Sequence, residues 1–132
     1  MSNNLDQTLA NAILTAVTGG TALSITAPVK LRLMATNGSA TSNGTEITAG
    51  GGYTAGGLTT AGAWGTASGG SITNSAAAVT FTNMPAATVV GVELWDSSGT
   101  PKRIAWGTIT SRTTASGDQL AFATSSLSLT LN

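Results

Sequence analysis

Near its start the chain carries an apolar pattern with helical spacing. Apolar side chains recur every four residues, with one more beside them, at Leu5, Leu9, Ile13, Leu14 and Val17. Residues four apart share one face of a helix, so the spacing predicts an amphipathic helix over residues 2–18. Asn3 or Asn4 can cap its start, Asp6 falls in the first turn, where a negative charge suits the helix dipole, and Gly19-Gly20 ends it.

From residue 29 onward the apolar period changes to two, which is typical of β-strands with one buried face. The predicted strands are residues 29–36, 45–48, 76–82, 88–95, 102–110, 120–124 and 126–131. In residues 29–36, Leu31 and Leu33 face one way with Val29 and Ala35, and Met34 faces the other way. Residues 88–95 are apolar on both faces, which predicts a central strand in which Glu93 needs a partner or an open edge.

Together these strands predict one core. Its expected members are Val79, Phe81, Val90, Val92, Leu94, Ile104, Trp106, Leu120, Phe122, Leu127, Leu129 and Leu131. Turn residues separate the strands: residues 96–101 form a hairpin loop, residues 116–118 form a tight turn, and Asn-Gly pairs at 37–38 and 43–44 bracket a polar loop. The pattern predicts a mainly β fold, an antiparallel sandwich or barrel of about seven or eight strands with one N-terminal helix.

We expect a single domain over residues 1–132: a helix at 2–18, first strands at 29–48, a Gly/Thr-rich segment at 49–71 and a β core at 76–131. The Gly/Thr-rich segment is too long for an ordinary connection. Either it is disordered, or it orders against something else. Its two aromatics, Tyr53 and Trp64, are the candidate assembly contacts, and we expect a neighbouring subunit to order the segment with Trp64 as the anchor.

Charge is scarce in this chain. Charged residues make up 8% of it, the net charge is zero, and Thr, Ser, Ala and Gly supply 76 of the 132 residues. A typical soluble domain has about 25% charged residues. The polar surface must therefore consist of hydroxyls and backbone. Lys102-Arg103 is the only adjacent basic pair, too little to neutralise phosphates, so no nucleic-acid partner is expected.

No membrane partner is expected either. The longest strongly apolar stretch is residues 89–95, which Glu93 interrupts, whereas a spanning helix needs about 20 apolar residues. Residues 9–17 resemble a signal peptide only faintly, because Asp6 stands where the positive region should be.

Residue chemistry argues against catalysis. The chain has no His and no Cys, which excludes histidine triads, cysteine nucleophiles and zinc clusters. The glycines at 50–52 lack the lysine of a phosphate loop, because no Lys lies between Lys30 and Lys102. The acidic residues are dispersed, and Asp96 and Asp118 suit turn caps. We therefore expect no enzyme, no catalytic residues, no cofactor and no metal.

Trp64, Trp95 and Trp106 could line a sugar-binding platform, but the strand pattern favours other positions for two of them. Trp106 is expected in the core beside Ile104, and Trp95 ends the central strand. Trp64 has no evident place in the core, which favours the contact anchor described above.

Several segments, in this order, resemble one family. They are 44–47 (GTEI), 50–53 (GGGY), 74–81 (NSAAAVTF), 91–96 (GVELWD), 106–110 (WGTIT), 117–118 (GD) and 127–132 (LSLTLN), after the helical start and the strand at 29–36. This series resembles small virion proteins of tailed bacteriophages, of the tail-fibre-like, minor tail or head decoration kind. The resemblance implies a structural role without catalytic residues.

The resulting hypothesis is a virion protein that decorates the capsid exterior, binding the major capsid protein as a homo-oligomer, a trimer or a hexamer. It would be made in the host cytoplasm. The alternative is a tail or tail-fibre component that binds tail proteins and contacts the host surface, and a lectin-like module outside any virion is a third possibility.

Overall fold

Short antiparallel strands dominate the structure, a computed structural model that describes residues 4–131. The helix α1 spans Gln7–Val17. The strands are β1 (Asn4–Leu5), β2 (Lys30–Thr36), β3 (Thr45–Glu46), β4 (Leu58–Thr59), β5 (Ser71–Thr73), β6 (Val79–Met84), β7 (Ala87–Trp95), β8 (Arg103–Thr114), β9 (Asp118–Phe122) and β10 (Ser128–Thr130).

One six-stranded sheet organises these elements. Its order is β1-β8-β7-β2-β3, and β4 pairs with the other end of β2. Two ribbons, β6–β9 and β5–β10, complete the fold, and every pair is antiparallel. The arrangement is sandwich-like and not a closed barrel, so the predicted mainly β sandwich with one N-terminal helix is confirmed.

The longest pairings are those of β7, which lies between β2 and β8 as predicted for the central strand. Val89, Val92 and Leu94 are buried in it. Val89 pairs with Arg112 of β8 but Gly91 pairs with Thr108, so the β7–β8 ladder is irregular at Val90. This irregularity buries Val89 and leaves the predicted core residue Val90 only half-buried.

A second irregularity moves Trp106 out of its predicted place. Leu94 pairs with Ala105 but Trp95 pairs with Arg103, so Ile104 is an extra residue in β8. Trp106 consequently lies opposite Glu93 and is only half-buried, while Ile104 stays in the core. Alternation alone assigned both residues to one face, and the bulge breaks that alternation.

Most of the predicted core is confirmed. The buried members are Val79, Phe81, Val92, Leu94, Ile104, Leu120, Phe122 and Leu127. Leu129 packs against this cluster while only partly buried, and the prediction for Leu131 is wrong because its side chain is 54% exposed. In β2, Leu31 and Leu33 are fully buried, but a register shift between Met34 and Thr36 accompanies a buried Met34 and an exposed Ala35.

The helix differs from its prediction at both its start and its apolar face. Asp6 is the N-cap, its Oδ1 accepting from the backbone N–H of Thr8 (2.8 Å) and Leu9 (3.3 Å). Asn4 belongs to β1, and the other candidate cap, Asn3, lies outside the described residues. The helix ends as expected at the glycine pair, but it contains no buried residue.

The Gly/Thr-rich segment folds onto its own chain. Tyr53 and Ala63 belong to the core cluster, and β4, which lies in this segment, pairs with β2. Gly52 passes close to β6, where a Cβ would lie 2.3 Å from the carbonyl oxygen of Thr82. Residues 49–71 thus find packing partners within their own chain, whereas the sequence led us to expect a neighbouring subunit to order them. A contribution of the segment to assembly stays a prediction.

A fully buried amide closes the C-terminal part of the fold. Asn74 Nδ2 donates to the carbonyl oxygens of Ala77 (3.2 Å) and Ala123 (2.9 Å), and its Oδ1 accepts from the N–H of Leu127 (2.8 Å). The Asn74 side chain thereby supplies hydrogen-bond partners to backbone groups that would otherwise be buried without them.

Phe81 tests this description of the core. Its ring lies 5.8 Å from that of Tyr53 and 6.3 Å from that of Phe122, and its side chain is buried. Because Phe81→Ala leaves a cavity among these rings, we expect it to lower the free energy of unfolding by about 3–5 kcal/mol in urea denaturation. Leu131→Ala, at an exposed position, should change it by less than about 0.5 kcal/mol. A loss below about 1 kcal/mol for Phe81→Ala would show that Phe81 is not a core residue.

Candidate functional site

The face of the six-stranded sheet opposite the core gathers charged residues. The register pairs Arg32 of β2 with Glu93 of β7, and Trp95 of β7 with Arg103 of β8. Glu46 pairs with Met34 at the far edge. In a chain with only ten Asp, Glu, Lys and Arg residues, this concentration makes the face the candidate site.

Arg103 forms the centre of a buried ion cluster. Its Nε lies 2.9 Å and its Nη2 2.8 Å from Asp6 Oδ2, and its Nη1 lies 3.1 Å from Glu93 Oε1. The side chains of Arg103 and Glu93 are 2% and 1% exposed. One guanidinium thus joins the N-cap of α1 to the centre of the sheet.

The loop between β2 and β3 covers this cluster. Arg103 Nη1 also donates to the carbonyl oxygen of Ser42 (2.7 Å), and Nη2 donates to that of Ser39. A guanidinium has five N–H groups, and these contacts use all five. Gly38 lets the loop approach, because a Cβ there would lie 2.6 Å from both Arg103 Nη1 and Glu93 Oε1.

Glu93 has hydrogen-bond partners at both carboxylate oxygens. Its Oε1 also accepts from the backbone N–H of Gly44 (2.8 Å), and its Oε2 accepts from Trp95 Nε1 (2.9 Å). The partner that the sequence demanded for Glu93 is therefore Arg103, supported by a loop amide and an indole. Because every N–H group of Arg103 and both oxygens of Glu93 have partners, the cluster holds these elements together.

A second polar group lies where β3 and the Gly/Thr-rich segment meet β2. Tyr53 Oη donates to Glu46 Oε1 (2.6 Å) and accepts from the N–H of Leu33 (3.0 Å). Glu46 Oε2 lies 3.9 Å from Arg32 Nη1, and the Arg32 guanidinium lies 4.1 Å from the centre of the Trp95 ring. Burial, reinforced by the adjacent Glu46 carboxylate, raises the pKa of the Tyr53 phenol well above its ordinary value.

Asp96 caps the β7–β8 hairpin loop as predicted. Its carboxylate accepts from the N–H of Lys102 (2.7 Å), the hydroxyl of Ser98 (2.9 Å) and the N–H of Thr26 (3.2 Å). Burial opposes ionisation, but these hydrogen bonds outweigh it and lower the pKa of Asp96. Asp118 caps the next turn, accepting from the N–H of Ala115 (2.8 Å), also as predicted.

The two candidate assembly contacts, Tyr53 and Trp64, lie in different surroundings. Tyr53 is buried in the core, whereas Trp64 is half-buried beside a shallow depression that Pro28 also lines. Trp64 Nε1 donates to Thr60 Oγ1 (2.9 Å), which in turn donates to the carbonyl oxygen of Val29 (2.9 Å). The role of both residues in assembly stays a prediction. Trp64 is the one of the two with side-chain surface available for such a contact, because Tyr53 is buried.

Sequence reasoning missed Asp6 and Arg103 as partners. The signal for Arg103 was available in part: Glu93 on a central strand needed a partner or an open edge, and Arg103 follows the hairpin loop that starts at Asp96. Asp6 gave no such signal, because its contact with Arg103 spans 97 residues.

A cleft opens beside α1. It has a volume of about 580 Å³, and its lining includes Leu9 and Ala12 of the helix, residues 21–25, Trp95 and the charged residues Asp6, Lys102 and Arg103. No cluster of three or more His, Cys, Asp or Glu side chains suited to a metal occurs among residues 4–131. Over the same residues no helix has the length and apolar content to cross a membrane.

The chain matches a family model. A family model described as "Podophage GP4 fiber I protein gp80" matches residues 4–130. A search of curated proteins finds no match to the chain. The family match agrees with the resemblance drawn from the sequence.

The ion cluster makes a prediction about stability. Arg103→Met leaves the Asp6 and Glu93 carboxylates without their cation, and we expect it to lower the free energy of unfolding by about 3–5 kcal/mol in urea. Arg112→Met is the matched control, because Arg112 is exposed and should cost less than about 1 kcal/mol. Equal effects of the two substitutions would contradict the proposed role of Arg103.

Tyr53 is the only tyrosine, so the ultraviolet absorbance of tyrosinate reports on it alone. Because its pKa is raised in the folded chain, we expect no ionisation near pH 10, where the urea-unfolded chain should titrate. The stability that the neutral phenol contributes is present below about pH 10 and is lost as the pH rises towards the folded pKa. A folded-state titration with its midpoint near pH 10 would contradict this burial.

Proposed function

We propose that this chain, which belongs to the Podophage GP4 fiber I protein gp80 family, is a structural subunit of a fibre on a phage particle. Membership of the family makes it a bacteriophage virion component of the fibre kind. Where that fibre attaches, how many copies of this chain a particle carries and which proteins it binds are parts of this proposal.

The buried ion cluster is the observation that best supports a structural role. Asp6, Glu93 and Arg103 are buried, and the contacts of Arg103 use every N–H that its guanidinium has. Glu46 and Asp96 likewise accept hydrogen bonds that hold loops in place. An enzyme keeps ionisable groups available at a cleft, whereas here they fasten distant parts of the chain together.

The surface also suits a structural part of a particle. Most of the charged groups on the sheet face are engaged with one another, and exposed threonines supply much of the remaining polar surface, as in the pair Thr88–Thr113, whose hydroxyls lie 3.2 Å apart. Contacts made through hydroxyls and apolar groups depend little on salt. A fibre exposed to varying ionic conditions would benefit from such contacts.

Between the two sequence-based hypotheses, the family description favours a fibre over capsid decoration. We therefore propose a homo-oligomeric fibre component, bound to tail-side proteins of the particle and made in the host cytoplasm. Capsid decoration, with the major capsid protein as partner, is the outcome that would replace it.

Electron microscopy of virions labelled with an antibody against this chain tests the proposal. We expect label on fibres near the tail and, by quantitative mass spectrometry, a copy number of a few to some tens per particle, whereas a lattice decoration needs hundreds. An antibody against the major capsid protein serves as the control for accessibility and counting. Label spread over the head, with hundreds of copies, would overturn the fibre assignment in favour of decoration.

A further inference from the structure

The cleft beside α1 is lined largely by polar side chains that have no partner in the chain. Within residues 4–131, no hydrogen bond involves the side chains of five neutral lining residues, all of them exposed: Thr8, Thr21, Ser24, Thr41 and Asn43. Each of these side chains can both donate and accept a hydrogen bond. The cleft therefore differs from the ion cluster, because its polar groups are available to a ligand.

Trp95 gives this polar cleft an apolar surface that is held in place. Trp95 is half-buried and belongs to the cleft lining. Its Nε1 donates to Glu93 Oε2 (2.9 Å), and the Arg32 guanidinium lies 4.1 Å from the centre of its ring. Arg32 does not line the cleft, so the cleft meets a part of Trp95 that the guanidinium leaves uncovered. A ring that is already fixed loses little conformational entropy when a ligand packs on it.

The ion cluster also fixes the polar wall on which Asn43 lies. The carbonyl oxygen of Ser42 accepts from Arg103 Nη1 (2.7 Å), and the N–H of Gly44 donates to Glu93 Oε1 (2.8 Å). Both chain neighbours of Asn43 are thus bound to the cluster, while the Asn43 side chain stays exposed. The same ion cluster therefore holds the indole of the cleft and an amide of the cleft in fixed relative positions.

This combination of groups restricts the class of ligand. A sugar ring has an apolar C–H face and a rim of hydroxyls, so it can pack on an aromatic ring while short polar side chains bind its hydroxyls. Peptides are instead recognised at strand edges or in apolar grooves. The helix and residues 21–25, which form walls of the cleft, present no strand edge.

Charge and size agree with a small sugar ligand. Asp6 and Arg103 are paired with each other, which leaves Lys102 as the one unpaired charge among the lining residues. A polyanion such as a nucleic acid is recognised by several basic residues. The cleft volume of about 580 Å³ falls within the roughly 300–1,000 Å³ that small-molecule sites span.

We propose that this cleft binds a short oligosaccharide, which packs on Trp95 and forms hydrogen bonds with Asn43, Thr41 and Thr8. The inference deepens the proposed function by naming the class of molecule that the fibre contacts. It rests on that function only for the place of the sugar on a host surface.

Nuclear magnetic resonance tests the site directly. The chain has three tryptophans, so its ¹⁵N spectrum contains three indole N–H signals, and Trp95→Phe identifies the signal of Trp95 by removing it. The probes are maltotriose, chitotriose and short fragments of host cell-surface polysaccharide, each at about 5 mM. We expect at least one of them to shift the Trp95 signal saturably and to leave the Trp64 signal unchanged. No shift with any probe, or a shift of Trp64 alone, would overturn the proposal.

Asn43→Ala tests the polar wall by calorimetric titration with the sugar that binds. Because the Asn43 side chain is exposed and has no partner within residues 4–131, the substitution should preserve the melting temperature. It should weaken sugar binding by about threefold to tenfold, as loss of one hydrogen bond does. Asn11→Ala is the matched control, since Asn11 is exposed on α1 but does not line the cleft, and it should leave the affinity unchanged. Equal affinities of the two variants would overturn the cleft as the sugar site.

Two further outcomes separate this inference from its alternatives. A shift of the Trp95 signal by a tryptic digest of host surface proteins, with none from the sugars, would overturn the carbohydrate assignment in favour of a peptide. The titrations use the free protein and do not depend on where the particle carries it. Sugar binding combined with antibody label on the head would overturn the fibre assignment alone, whereas label on fibres without sugar binding would overturn this inference alone.

Discussion

The structure depends on one guanidinium that has been taken out of water. Arg103 can be buried only because two carboxylates and two loop carbonyls satisfy it, and Asp6, Glu93 and the loop before β3 are fixed in turn by meeting it. Desolvating three charges is costly, and a well-packed apolar substitute is often no less stable. The ion cluster fixes the relative positions of these elements, because a strand, a loop and a helix N-cap can satisfy Arg103 together in one arrangement.

Asp6 shows how closely local and long-range structure are linked here. Its Oδ1 caps α1 while its Oδ2 receives Arg103, so one carboxylate both starts the helix and attaches it to the sheet. No residue of the helix is buried, although Leu9 packs against the core while partly buried. Isolated helices of this length are marginal in water, so its anchoring at the N-terminal end matters more than its sequence pattern.

Sequence reasoning worked where one side of a strand faces a continuous core. Alternation assigned Phe81, Leu94 and Leu127 correctly because period two is a direct consequence of strand geometry. It failed for Val90 and Trp106, each beside an irregularity in the β7–β8 ladder, because such irregularities break the alternation of faces and leave no simple mark in the sequence.

The candidate site was predictable in part for a related reason. Glu93 on a central strand needed a partner or an open edge, and that requirement followed from the expected burial of the strand. The Gly/Thr-rich segment was not assigned to the core because it has few apolar residues. Tyr53 and Ala63 nevertheless suffice, since glycines let the backbone lie directly on β2 and β6 and shorten the distance that side chains must span.

The 97-residue separation between Asp6 and Arg103 has a consequence for the order of folding. A ribosome releases the N-terminal segment first, yet the strand that fixes the helix cap is synthesised much later. Contacts between distant residues slow folding, because a long loop must close before they form. The helix, with its exposed Leu14, therefore leaves the ribosome well before Arg103 is synthesised. The ion pair that anchors the N-terminal segment can therefore form only after the strand that begins at Arg103 has been synthesised.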